Sequence, residues 1–93
     1  MALEQIVFTT QVVAPGLIAP GAQVVLGPFA MPAGTFARAG DACWASVDVD
    51  LLGQTLTAYV NAANNVTAVL FNGTAGGINL GAGVNLRIYV AKR

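Results

Sequence analysis

The most conspicuous shortage in this 93-residue chain is charge, since it has four acidic residues, four basic residues and no histidine. Charged residues make up 9% of the sequence, against about 25% in ordinary soluble domains. A small domain has a large surface for its volume, so most of that surface must be uncharged. Such a surface is poorly protected against association. We expect further copies of the chain or a partner to cover much of it; the alternative is a neutral surface of Ser, Thr and Asn.

The lack of histidine also removes the usual general base and the partner of a Ser or Cys nucleophile. Cys43 and four scattered carboxylates do not make a zinc site. We therefore predict no enzymatic activity, no cofactor and no metal. Asp48 and Asp50 are spaced so that a strand would place both on one face, about 7 Å apart. That spacing is compatible with Ca²⁺ binding or a glycosidase pair, but we interpret it as a solvated strand face that disfavours wrong pairing.

Nucleic-acid and membrane binding are not expected either. There are four basic residues, and only the last two are adjacent: Arg38, Arg87, Lys92 and Arg93. A nucleic-acid-binding groove needs several basic side chains close together. Glycine, proline, Asn and Thr interrupt the long uncharged segments before they reach about 20 apolar residues. The N-terminus lacks the basic and apolar regions of a signal peptide. Because the lone cysteine gives no disulfide framework, we expect synthesis in a reducing cytoplasm.

What the sequence does contain is a series of short alternating segments. The clearest is a hairpin over residues 54–72, in which Asn64-Asn65 suits the turn because Asn tolerates positive φ. The predicted core face comprises Leu56, Ala58, Val60, Val66, Ala68 and Leu70. The two glycosylation-type sequons, which begin at Asn65 and Asn72, are interpreted as turn chemistry because no secretion signal accompanies them.

Further strands are predicted by alternation and β-branched residues. They cover Ile6 to Val13, Gln23 to Leu26, Thr35 to Ala39, Ala42 to Leu52, Ile78 to Leu80 and Val84 to Val90. No window of 11 residues has helical periodicity, so the fold class is all-β: a single small antiparallel β-sandwich, jelly-roll-like, with 7–8 strands and no significant helix. The spacing alone does not distinguish this from a small barrel. Residues 1–21 are predicted to form an N-terminal strand and a Pro/Gly-rich arm, and residues 22–93 the β-sandwich domain.

The predicted outward face of the hairpin carries Tyr59, Val69 and Phe71, which is unusual for a strand surface that meets only water. These three residues, with Trp44 as an aromatic anchor, are the candidate oligomer interface. An alternative is that Trp44, Tyr59 and Tyr89 form a platform on which a sugar stacks.

The segment from Gly40 to Ser46 and the run from Leu56 through Asn79 resemble small jelly-roll-like structural proteins and domains of tailed bacteriophages. In that pattern a Gly-Asp opens a strand, and a strand ending in Ala-Asn follows. A Val-Thr-Val-x-Leu-x-Asn strand, from which this chain departs at Ala68, a small-residue turn and an aliphatic last strand complete it. The match covers roughly residues 33 to 91. The pattern has no catalytic residues, so none are implied for this chain.

The resemblance implies a virion structural protein on the outer capsid surface. Such a protein would be a decoration (cement) protein that forms a homotrimer and bridges subunits of the major capsid protein. In this picture the N-terminal arm adds to an open sheet edge of a neighbour. The alternative is a receptor- or glycan-binding module associated with a tail spike or fibre.

Overall fold

A computed structural model describes residues 5–92 of the chain, apart from the side chain of residue 62. Within that range there is no helix, and all strand pairings are antiparallel. The strands are β1 (Gln5–Val13), β2 (Leu17–Ile18), β3 (Gln23–Ala30), β4 (Cys43–Val47), β5 (Thr55–Ala62), β6 (Asn65–Phe71), β7 (Ile78–Asn79) and β8 (Val84–Lys92). The predictions of an all-β chain, 7–8 strands and antiparallel pairing are confirmed.

The strands form three small sheets. Two have three strands, in the orders β1-β8-β4 and β3-β6-β5, and the third pairs β2 with β7. The pairings are nested, because β1 pairs with β8, β2 with β7 and β3 with β6. Residues 5–30 therefore run antiparallel to residues 65–92, and β4 and β5 are added beside β8 and β6.

The two three-stranded sheets share one hydrophobic core. On β8 every second residue is buried, as its alternating sequence predicts. The buried cluster comprises Leu26, Met31, Ala37, Val60, Val66, Ala68, Leu86, Ile88 and Val90. Full burial of one such large side chain stabilises the fold by about 1.5–3 kcal/mol. Because Val60, Val66, Ala68 and Leu70 are buried, the predicted core face of the hairpin is confirmed for these residues, and Leu56 and Ala58 pack partly buried against the cluster.

Three predicted strands differ from the structure by more than two residues. Thr35 to Ala39 is a loop rather than a strand. Asn64 holds the backbone of this loop through two hydrogen bonds. The backbone N–H of Asn64 donates to the Ala37 carbonyl at 2.8 Å, and the backbone N–H of Ala37 donates to the side-chain oxygen of Asn64 at 3.2 Å. β3 does not stop at Leu26 but continues with a register shift to Ala30, because an edge strand tolerates the proline at position 28.

β4 ends at Val47, not at Leu52. The Asp48 carboxylate accepts hydrogen bonds from the backbone and the side chain of Asn85, at 3.0 and 2.7 Å. The Asp50 carboxylate accepts one from the Leu52 N at 2.9 Å. A short polar side chain that bonds to backbone two residues on, as that of Asp50 does, competes with the strand ladder.

The described part of the predicted N-terminal arm lies on its own chain. Leu17 and Ile18 pair with β7, Ile18 is buried, and the Gly21 N donates to the Asn72 carbonyl at 2.7 Å. The domain boundary at residue 21 stays a prediction. An arm that reaches a neighbour would have to come from outside these paired residues.

Candidate assembly surfaces

The outer surface of the β3-β6-β5 sheet, here called the β6 face, carries Val25, Tyr59, Val69 and Phe71. Val25 and Val69 are directly opposite each other in the β3–β6 register. Tyr59 is 48% exposed, Phe71 is 40% exposed and Val69 is partly buried. The structure therefore places the predicted residues Tyr59, Val69 and Phe71 on one outward surface. No charged residue occurs in the sequences of these three strands.

The hydroxyl of Thr67, a polar group on the β6 face, makes a hydrogen bond within the chain. Thr67 lies directly opposite Tyr59 in the β5–β6 register, and its hydroxyl donates to the Asn61 side chain at 2.9 Å. Thr67 is buried although it belongs to the outward set of the hairpin. The hydroxyl is thus satisfied within the chain, and the β6 face offers its apolar side chains to another molecule beside the exposed, uncharged Gln23, Thr55 and Thr57.

The outer surface of the β1-β8-β4 sheet, here called the β8 face, carries a row of three aromatic rings. Phe8, Tyr89 and Trp44 are direct neighbours in register across the three strands. Trp44 stacks on Tyr89 with ring centroids 5.5 Å apart and planes at 12°, and Phe8 lies 6.0 Å from Tyr89. The Arg87 guanidinium lies 4.8 Å from the centre of the Phe8 ring, in the range of a cation–π contact.

The four residues of the predicted interface therefore do not form one patch. Trp44, 42% exposed, lies on the β8 face, whereas Tyr59, Val69 and Phe71 lie on the β6 face. The inner surfaces of both sheets contribute to the same core, so the two outer faces point away from each other. The same geometry separates Tyr59 from Trp44 and Tyr89, so these three do not make the single sugar platform that the sequence allowed.

The β1 strand turns its more apolar side outward. Ile6, Phe8 and Val12 are 56%, 49% and 72% exposed, while the side that includes Thr9 and Gln11 is partly buried. The Gln11 side-chain amide donates to the Thr9 hydroxyl at 3.1 Å, which partly satisfies these polar groups against the core. Sequence alternation identified the two sides of β1 but contained no signal for which of them is inward.

Most of the charged side chains that the structure describes make hydrogen bonds to loop residues or to residues at strand ends. The Lys92 ammonium donates to the Asp41 carboxylate at 2.6 Å and to the Phe36 carbonyl at 3.0 Å. The hydrogen bond from Lys92, with a second from the Arg38 backbone, holds the pKa of Asp41 below its ordinary value. These residues line an open depression of about 740 Å³ at one end of the sheets. This surface ion pair contributes little to stability.

The candidate metal or catalytic pair is not assembled. The Asp48 carboxylate is bonded to Asn85 of β8, whereas the Asp50 carboxylate is bonded to the backbone of Leu52, so each carboxylate has its own partner within the chain. Among residues 5–92, no group of three or more Cys, Asp or Glu side chains is placed to hold a metal ion. Cys43 is partly buried against the core, and burial raises the pKa of its thiol.

The sequence analysis did not identify the side-chain amides of Asn72 and Gln54 as buried groups. Asn72 is completely buried, and its side-chain NH₂ donates to the carbonyls of Ile18 and Gly76, both at 2.8 Å. Its side-chain oxygen accepts from the Thr74 N and hydroxyl at 2.9 and 2.6 Å. Gln54 is also buried. The sequon pattern signalled turn chemistry at Asn72, but not its bond to the distant residue Ile18.

Comparisons with protein families, with curated proteins and with solved structures find no match to this chain. The described residues include no helix long and apolar enough to cross a membrane.

Proposed function

We propose that this chain is a virion structural protein, a capsid decoration (cement) protein that assembles as a homotrimer and bridges subunits of the major capsid protein on the outer surface of the head. The observation that carries this proposal is the pair of exposed apolar surfaces, the β6 face and the β8 face, on opposite sides of a small domain. Exposed apolar surface of this kind marks interaction sites. Two such surfaces allow one chain to bind its own copies and a second protein together.

The two faces are assigned by symmetry and charge. If each chain stacked its β6 face on the β8 face of the next, two opposite surfaces would generate an open stack rather than a closed ring. A closed trimer therefore needs one face for self-association and leaves the other free. We assign the β6 face to the trimer because its strands contain no charge. The β8 face, which includes Arg87 beside Phe8, is assigned to the capsid protein.

We also propose that the fold is a jelly-roll-like β-sandwich. The support is the nested order of pairings, in which β1, β2 and β3 run against β8, β7 and β6. A jelly roll is a folded-over antiparallel ribbon whose strands are shared between two facing sheets. The shared core of the two three-stranded sheets is consistent with this arrangement.

The mechanism of stabilisation is multivalent burial of surface. Each trimer would place three β8 faces on neighbouring capsid subunits, so one released contact is held close to its site by the other two. Linked contacts of this kind gain about 10²–10⁴ in overall affinity without any new contact. Many such bridges would resist outward pressure on the shell.

Removal and re-addition of the protein tests the proposal. Capsids stripped of the protein are expected to break at lower temperature, and re-addition of the wild-type chain is expected to restore heat resistance. Trp44→Ala should fail to restore it, while Asn79→Ala, an exposed change on β7 outside both faces, should succeed. Unchanged heat resistance of stripped capsids would contradict the cement role.

A receptor- or glycan-binding module of a tail spike or fibre is the second candidate, favoured by the exposed indole of Trp44 beside Tyr89. Aromatic rings at a surface bind sugar faces through stacking and contact area. On a glycan array, binding by the wild-type chain that Trp44→Ala abolishes with the fold intact would favour this candidate. Absence of binding together with capsid attachment would favour the cement protein.

A further inference from the structure

We infer that the free edge of β1 is a second self-association site, at which β1 pairs antiparallel with β1 of another copy about a two-fold axis. The contact would join the two β1-β8-β4 sheets into one sheet of six strands. It goes beyond the proposed trimer, because it uses a strand edge rather than the β6 face and would link a chain of one trimer to a chain of another.

The first observation is that the β1 edge has none of the usual protection. β1 forms one side of its sheet, and within residues 5–92 no strand pairs with its other side. Its register with β8 runs over nine residues without a shift. The segment Gln5–Val13 contains no charge, no proline and no glycine. Natural edge strands are normally blunted by such residues, by bulges or by shortness, because an open edge is a template for pairing.

The other edges differ in this respect. β3 carries Gly27 and Pro28 and has a register shift beside them, and proline removes a donor from the ladder. β4 has only five residues and is followed by Asp48. β5 has a register shift near its end. The edge of β1 is therefore the longest regular one in the described part of the chain.

The second observation is that β1 is complementary to itself. Antiparallel pairing centred on Thr9 uses all nine residues and places Ile6 opposite Val12 and Phe8 opposite Thr10 of the other copy. These residues are all on the outward side of β1, so the pleat stays in phase across the axis. Pairs of aromatic and β-branched residues directly opposite each other stabilise a sheet, and no charges oppose one another.

The size of the contact predicts that it is weaker than a standard interface. Nine residues of strand span about 30 Å, and the molecule is 21 Å across in its short directions. The flat footprint of this side is thus about 600 Å², below the roughly 800 Å² per partner of a standard interface. We therefore expect pairing to appear as concentration rises, or where trimers are held side by side on a surface.

A sedimentation series from about 1 µM to about 1 mM tests this inference. The wild-type mass is expected to rise at least two-fold across the series, because each proposed trimer carries three free β1 edges. Ile6→Glu alone and Val12→Lys alone should each raise the dissociation constant of that step at least about ten-fold. The double variant Ile6→Glu/Val12→Lys should restore it, because the two new charges of opposite sign face each other across the two-fold axis. Added salt should weaken the restored contact.

The series separates this inference from the proposed trimer. Doubling from one chain to two would support the β1 contact while contradicting the trimer. A mass of three chains that never changes would support the trimer and overturn the β1 contact. An equal rise in the wild type and both single variants would also overturn it, as would a double variant no better than the single ones. The wild-type series needs no substitution, so a variant that fails to fold does not leave the inference untested.

Discussion

Asn72 is a single side chain that holds three segments together. Its NH₂ group donates to Ile18 before β3 and to Gly76 before β7, and its oxygen receives two bonds from Thr74. A buried donor or acceptor that loses its partner costs about 1–3 kcal/mol. Asn72→Ala would leave the Ile18 carbonyl without this donor and open a cavity. We expect it to lower the free energy of unfolding by about 2–4 kcal/mol, measured by urea denaturation.

Asn79→Ala is the matched control for Asn72→Ala. Asn79 also accepts a local backbone bond, from the Gly81 N at 2.8 Å, but it is exposed. Water replaces that bond when the side chain is removed, so the expected loss is below about 1 kcal/mol. Equal losses in the two variants would contradict the role given to Asn72.

Asp48 gives a pH-dependent contribution to stability at the end of β4. The side chain and then the backbone N–H of Asn85 hold the pKa of Asp48 below its ordinary value of 3.8. A group whose pKa is lowered by folding stabilises the fold above its unfolded pKa, and this contribution is lost as pH falls through the folded pKa. An NMR titration should give Asp48 a pKa below 3.8, and Asn85→Ala should return that pKa towards 3.8. An unshifted pKa in the wild-type chain would contradict the bond.

At the scale of elements, the sequence predicted those segments in which aliphatic residues alternate regularly along one side of a strand. The positions and the inward faces of β8 and of the β5–β6 hairpin were predicted correctly. In the hairpin, Val66, Ala68 and Leu70 alternate with outward residues after the Asn64-Asn65 turn. Asn64 has a φ of 58°, and this is the positive φ that Asn tolerates better than most residues do.

Segments governed by distant contacts were not predictable. Thr35 to Ala39 has strand-like composition, but Asn64 holds it as a loop from 27 residues away. The face of β1 was not predictable either, because both of its sides carry large apolar residues and the more apolar side is the outward one. In both cases tertiary contacts decided between local alternatives of similar energy.

The irregular part of β3 allows a test at this scale. Gly27 has a φ of +116°, and a Cβ there would lie 3.1 Å from the Val66 carbonyl oxygen and 3.2 Å from Phe29. Both the conformation and the space exclude a side chain, so Gly27→Ala should lower the free energy of unfolding by about 1–3 kcal/mol. The control is Gly76→Ala, where a Cβ meets nothing within 4 Å, and it should be nearly neutral in the same denaturation experiment. A neutral Gly27→Ala would contradict the close approach of β3 and β6.

For the whole molecule, composition predicted that exposed surface would be uncharged, and the structure places this surface on two opposite faces. The sequence grouped Trp44 with Tyr59, Val69 and Phe71 because all four are bulky side chains on strands. It contained no signal that Trp44 belongs to the other sheet, since sheet membership depends on the pairing of β4 with β8. The candidate interface was thus predictable residue by residue for the hairpin but not as one surface.

The mass of the protein at about 1 µM, compared with that of the Phe71→Asp variant, tests the central claim most directly. The account predicts three times the 9.4 kDa chain mass for the wild type, because the uncharged β6 face is buried in the trimer. It predicts a folded chain of 9.4 kDa for Phe71→Asp, because the charge opposes burial of an exposed side chain. A wild-type protein that is monomeric at this concentration would contradict the account, and so would a variant that unfolds outright, since Phe71 would then belong to the core.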